Sequence, residues 1–217
     1  MIRQLSLTWF LSAFLLVHAL PAQQAVHATG QKASTAKLST SDRGDIRSGI
    51  YRSPFFGFSY KLPYGWVDRT QEMREDESGK VEDPSKGMVL LAVFERPPQA
   101  RGETVNSSVV VVAEPASSYP GLKSAAQYFG PLNEVITKQG LKPLNEPYDF
   151  PVDARPIVRC DYTGPLGSAT MHQSTLAMLA RGYVISFTFI GGSDDEVTEL
   201  LESLSFGKVK SAAPGNR

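Results

Sequence analysis

The chain has a single cysteine, Cys160, so no intrachain disulfide can form. It has no excess of either charge. Its 22 basic and 22 acidic residues argue against a dedicated nucleic-acid binder, which needs a positive field. Histidine is scarce. His18 lies in an apolar run, His27 in a polar stretch, and only His172 falls among patterned segments. General-base chemistry therefore has few carriers beyond carboxylates. No second long apolar run follows the N-terminal one, so no later membrane span is expected. The G-x-S-x-G elbow, the Walker loop and H-E-x-x-H are also missing. These absences lead to the expectation of a protein that is not an enzyme and holds no cofactor.

What is present begins with a leader pattern. Residues 1–22 carry one cation, Arg3, then an apolar run from Leu7 to Leu20 and small residues after it. That is the order of a secretory signal peptide. The run is shorter than a comfortable span, although retention as an anchor stays open. The expected location is secreted or periplasmic, with no membrane span after cleavage. Residues 23–49 are rich in Ala, Ser, Thr, Gly and charge, without apolar periodicity, and read as a flexible linker. Residues 207–217 read as a disordered tail. The globular domain is expected over 50–206, long enough to be held by its own core.

Within it, "FGFSYKLP" places Phe56, Phe58, Tyr60 and Leu62 on alternate positions, with Gly57, Ser59 and Lys61 between them. Period two predicts a half-buried strand. Pro63 and Gly65 end it, and Trp66 follows to cover one end of the core. The same aromatic row leaves open a ligand cradle. Residues 88–96 and 107–115 read as further strands, the first buried on both faces. Residues 71–87 read as a charged, exposed loop. Its carboxylates suit calcium as atoms, but no calcium-loop spacing is present.

Residues 121–140 carry the main helical pattern, through Leu122, Ala125, Ala126 and Phe129, then Leu132, Val135 and Ile136. Pro131 between the groups either opens a second helix or kinks a long one. "NEPYDFPV" predicts a short edge strand. "RPIVRCDYTG" and "ATMHQSTLAMLARG" predict a hairpin across "GPLGS". "YVISFTFI" predicts the last strand. "SDDEVTELLESLSF" predicts a closing helix with Ser193 as cap, an acidic first turn, and Val197, Leu200, Leu201 and Leu204 as its buried stripe. The sum is an α+β fold, a mainly antiparallel sheet of about six strands flanked by helices.

Two segments carry a family resemblance. "FFGFSYKLPYGW" resembles the opening strand and turn of the PsbP-like family, and "ARGYVISFTFIGGSDDEVTELLESLSF" resembles its last strand and closing helix. Phe56, Gly57, Phe58, Pro63, Gly65 and Trp66 match positions that shape the first hairpin. The resemblance spans about 50–206. It implies a PsbP-like α/β/α sandwich of the kind found in DcrB-type envelope proteins and photosystem-accessory domains. Such domains bind or assemble with other proteins. The implied partner is an envelope or secreted protein, with no nucleic acid.

Cys160 and His172 form the one pair with catalytic or metal-ligating chemistry. A hairpin turning about Leu166 sets them directly opposite each other, within touching distance across two strands. A thiolate–imidazole pair there would serve nucleophilic work or a metal. The alternative is a buried cysteine beside a hydrogen-bonded histidine. Spacing supplies no third ligand or oxyanion hole. A carrier of a small molecule or metal on the aromatic sheet face is the second functional reading. A Cys/His-dependent enzyme is the third.

Overall fold

The computed structural model describes residues 40–75, 87–97 and 104–207. The leader 1–22, most of the 23–49 stretch, loop residues 76–86 and the tail lie outside the described residues. The structured part begins earlier than composition suggests. A 3₁₀ turn covers Thr40–Arg43, and a first strand, β1 (Asp45–Arg47), follows within the stretch read as linker.

The strands form two antiparallel sheets rather than one of about six. The smaller joins β1, β2 (Ile50–Ser53), β3 (Phe58–Lys61) and β12 (Leu204–Ser205), in the order β1-β2-β3-β12. The larger contains eight strands: β4 (Val67–Asp68), β5 (Met88–Phe94), β6 (Ser108–Pro115), β7 (Lys142–Pro143), β8 (Tyr148–Asp149), β9 (Val158–Leu166), β10 (Ala169–Ala180) and β11 (Tyr183–Gly191). Its order is β4-β5-β6-β11-β10-β9-β7, with β8 also paired to β9. The extra strands span only two or three residues, too few for an alternating pattern to register in sequence.

Each long strand follows from its side chains. β9 and β10 close through Gly167, whose φ of 63° suits the first central position of a two-residue hairpin turn. β5 is buried almost throughout because both its faces are covered. A bulge between Val89 and Leu91 turns Leu90 and Leu91 into one cluster. The carbonyls at Val89 and Leu90 accept hydrogen bonds from Arg74, at 2.7 and 3.0 Å.

Three helices complete the layers: α1 (Thr70–Arg74), α2 (Ala125–Lys138) and α3 (Asp194–Glu202). The main core lies between the two sheets and under α3. It joins Tyr51, Phe58 and Tyr60 to Leu91, Val111, Phe187, Phe189, Val197 and Leu201. On the other face of the large sheet, Tyr128, Phe129 and Ile136 of α2 pack on Cys160, Tyr162, Met171 and Ala177. Pro131 sits inside one continuous helix and does not open a second. Gln127 helps start that helix by accepting from the Lys123 and Ser124 amides, at 2.7 and 3.2 Å. Leu204 belongs to β12 and not to the closing helix, because α3 stops at Glu202 and the chain turns to pair with β3.

Candidate functional site

The register separates the two residues that sequence had set opposite each other. The hairpin turns at Gly167 and Ser168, so Cys160 faces Thr175 and His172 faces Thr163. Directly opposed residues share a face, and side chains alternate along a strand. Cys160 therefore points into the α2 side, fully buried, while His172 points to the α3 side. The Cys160 thiol donates to the Asn145 carbonyl at 3.3 Å, and burial pushes its pKa up. His172 Nδ1 instead meets Asp194 Oδ1 at 2.7 Å. The thiol and imidazole do not form one centre. Among the described residues, no group of three His, Cys, Asp or Glu side chains is placed to hold a metal.

The aromatic row of β3 resolves as core. Phe56, Phe58 and Tyr60 are buried. Phe58 meets Phe187 edge to face at 5.0 Å between ring centroids, and Tyr60 meets Phe189 at 6.1 Å. Protein side chains fill the space that a ligand on this face would need.

The end of the same strand does open a cleft. After Lys61 the chain leaves the sheet, and the Pro63–Trp66 turn projects outward. Gly65, at φ 82°, supplies the left-handed residue of that turn. Tyr64 is thereby left wholly exposed, and Trp66 half-buried. The opposite wall is α3, presenting Glu196, Glu199 and Leu200, with Ser203 just beyond its last turn. Ser48 and Gly49, the two-residue turn joining β1 to β2, close one end; both have positive φ, as that hairpin type requires. Ile50, Leu62 and Leu200 supply apolar surface. The cleft, about half open to solvent, spans about 820 Å³.

Two acidic side chains, Glu196 and Glu199, and one basic, Lys61, line the cleft among the described residues. α3 carries Asp194, Asp195, Glu196, Glu199 and Glu202, with no basic residue in its last turn. Glu196 is held in place: Ser107 Oγ donates to Oε1 at 2.5 Å, and the Gly192 amide donates to Oε2 at 2.8 Å. That second bond occupies the Gly192 amide at the start of the helix. Glu199 is exposed and, among the described residues, enters no ion pair. Lys61 is the only basic side chain among the described residues lining the cleft.

Two further polar centres hold elements together. Asp161 Oδ1 accepts from Arg159 Nε at 2.7 Å and from Ser174 Oγ, while Oδ2 accepts from Asn145 at 2.9 Å. Burial pushes its pKa up, but the hydrogen bonds from Ser174, Arg159 and Asn145 together hold that pKa below the ordinary range. On the α2 side, Tyr119 and Tyr128 each donate to Glu114, at 2.7 Å. There burial outweighs the two hydrogen bonds, and the Glu114 pKa rises.

The cleft was only partly legible in sequence. Pro63 and Gly65 stand out as strand breakers that suit a turn, and Trp66 as a cover for one end of the core. The carboxylates of α3 were read through the helix dipole, which accounts for Asp194, Asp195 and Glu196 but not for Glu199 and Glu202. An amphipathic helix with acid at both ends and no base is the signal that marks this wall.

No family model matches the sequence, and no curated protein matches it. Solved structures of similar shape exist. The chain is similar to the solution structure of cyanobacterial PsbP from Synechocystis, with 16% identity and a TM-score of 0.45 over 71% of this chain and 89% of that one. It is similar to LpqN of Mycobacterium tuberculosis, a protein involved in cell envelope biogenesis, with 12% identity and a TM-score of 0.34 over 68% of this chain and 82% of that one. A Pseudomonas aeruginosa protein of unknown function aligns with 19% identity and a TM-score of 0.35, over 48% of this chain and 70% of that one. Likenesses of this degree carry no conclusion about what this chain does.

Proposed function

We propose that this chain is an exported, non-catalytic domain that binds a protein partner through the cleft between the Pro63–Trp66 turn and α3. The observation that carries the reading is Tyr64. A fully exposed tyrosine on a tight turn, beside a half-buried tryptophan and apolar lining, is of the residue type enriched at interface centres. The leader pattern of residues 1–22 supports export and an envelope or secreted partner. No helix among the described residues is long and apolar enough to cross a membrane.

A variant comparison tests the reading. Tagged full chain, Tyr64→Ala and Leu179→Ala are expressed in the source cells, and captured proteins are quantified by mass spectrometry. Leu179 is exposed on the α2 face, remote in the sheet from the cleft. The expected result is a partner set retained by Leu179→Ala and depleted in Tyr64→Ala. Equal capture by all three chains would contradict the reading.

A further inference from the structure

On the α2 side of the large sheet, one side chain ties three elements together. Glu114, near the end of β6, is partly buried, and both its carboxyl oxygens are engaged. Tyr119, just after the 3₁₀ turn Ala116–Ser118, donates to Oε1, and Tyr128 of α2 donates to Oε2, each at 2.7 Å. The two rings meet edge to face at 5.3 Å between centroids. One carboxyl group thus fastens both the 3₁₀ turn and the N-terminal half of α2 to the sheet. Tyr128 and Phe129 belong to the same buried layer as Cys160.

Charge decides whether the fastening holds. Two hydroxyl donors satisfy the oxygens of Glu114 but bring no positive charge. The titratable groups that face it are Tyr119 from the turn and Tyr128 from α2. β11 presents Val184 and Ser186 on the same face, and the chain entering β5 presents Gly87. Lys123, before α2, is exposed, and Arg181 lies over the Phe55 ring on the main-core side. Among the described residues, no base forms an ion pair with Glu114. A neutral carboxyl group fits this setting. An ionised one is poorly solvated there and gains water when the cover opens. Burial accordingly raises the Glu114 pKa above its ordinary 4.5.

We propose that Glu114, Tyr119 and Tyr128 form a pH-sensitive latch, which docks the N-terminal half of α2 on the sheet in acid and loosens it as the carboxyl group ionises. The latch lies on the opposite face of the large sheet from α3 and stands independently of the cleft. Protonation favours the docked form. Docking is therefore fullest below pH 4.5 and weakens as pH rises through the higher folded value.

Cys160 reports on the latch. It is the chain's only thiol, it is fully buried, and it lies in the layer under α2. The probe is dithiodipyridine, a thiol reagent that works in acid as well as at neutral pH. It is added in excess to the full chain and to Glu114→Gln, between pH 4.5 and about pH 8. The ratio of the two labelling rates at each pH cancels the ionisation of the thiol itself. The expected ratio is near one at pH 4.5 and climbs with pH to at least about threefold, with a urea slope well below that of global unfolding. Amide hydrogen exchange over 119–130 in the unaltered chain is expected to quicken across the same range, beyond the intrinsic effect of pH. A ratio that stays flat would overturn the inference. So would a rise carrying the full urea slope, which reports global unfolding and no local release. Glutamine keeps the shape of Glu114 and an acceptor for the tyrosines. If the variant still fails to fold, hydrogen exchange of the unaltered chain decides alone, and protection over 119–130 that ignores pH overturns the latch.

Discussion

Asp161 and Glu114 are both partly buried carboxylates, and their surroundings move their acidity in opposite directions. Asp161 accepts hydrogen bonds from Arg159, Asn145 and Ser174, which favour the charged form. Its folded pKa is therefore below its ordinary 3.8. Its contribution to stability is present above that ordinary value and is lost as pH falls through the lower folded one. Glu114 has only two tyrosine donors against its burial, and its folded pKa lies above its ordinary 4.5. Its contribution is full below pH 4.5 and is lost as pH rises through the folded value. Urea unfolding across pH checks both signs. Asp161→Asn is expected to cost about 1–3 kcal/mol at pH 7, because Arg159 keeps a partly buried charge without its partner. That cost shrinks in strong acid. Glu114→Gln is expected to flatten the decline in stability above pH 4.5.

At the scale of elements, long periodic strands were readable and short ones were not. The alternation of Phe56, Phe58, Tyr60 and Leu62 located β3 and the side chains it sends into the main core, although Ser59 between them is buried as well. β11 was located by its run of β-branched and aromatic residues, and it is buried on both faces. β1, β7 and β12 offer two or three residues each, and tertiary pairing, not local pattern, makes them strands. The β9–β10 register was missed for a related reason. Turn position decides register, and "GPLGS" allows more than one; the structure turns at Gly167 and Ser168, three steps of pairing away from a Cys160–His172 match. Pro131 shows the opposite case, a strong local breaker overruled. Tyr128, Phe129 and Ile136 anchor α2 on both sides of it, and Pro131 itself is exposed. The proline still lacks the amide that an interior helical residue donates. Pro131→Ala is therefore expected to stabilise the chain by about 1–3 kcal/mol, read as a rise in urea midpoint with an unchanged slope.

Across the whole molecule, the burial of the aromatic row in the main core and the exposure of Tyr64 at its end belong to one design. Two sheets and α3 close over Tyr51, Phe58, Tyr60, Phe187 and Phe189, and no disulfide is needed to hold them. The β3 strand then runs out of the core and delivers its turn to the surface beside α3. Core patterning in the sequence located the strand. The cleft itself could not be located that way, since its second wall lies more than a hundred residues further along the chain. Site-specific photo-crosslinking in the source cells tests this account most directly. A photoreactive amino acid is placed at Tyr64, and separately at Leu179 as the control on the far face of the sheet. The account predicts a discrete crosslinked protein from position 64 and none from position 179. Crosslinks from 179 alone, or equal crosslinks from both, would contradict it.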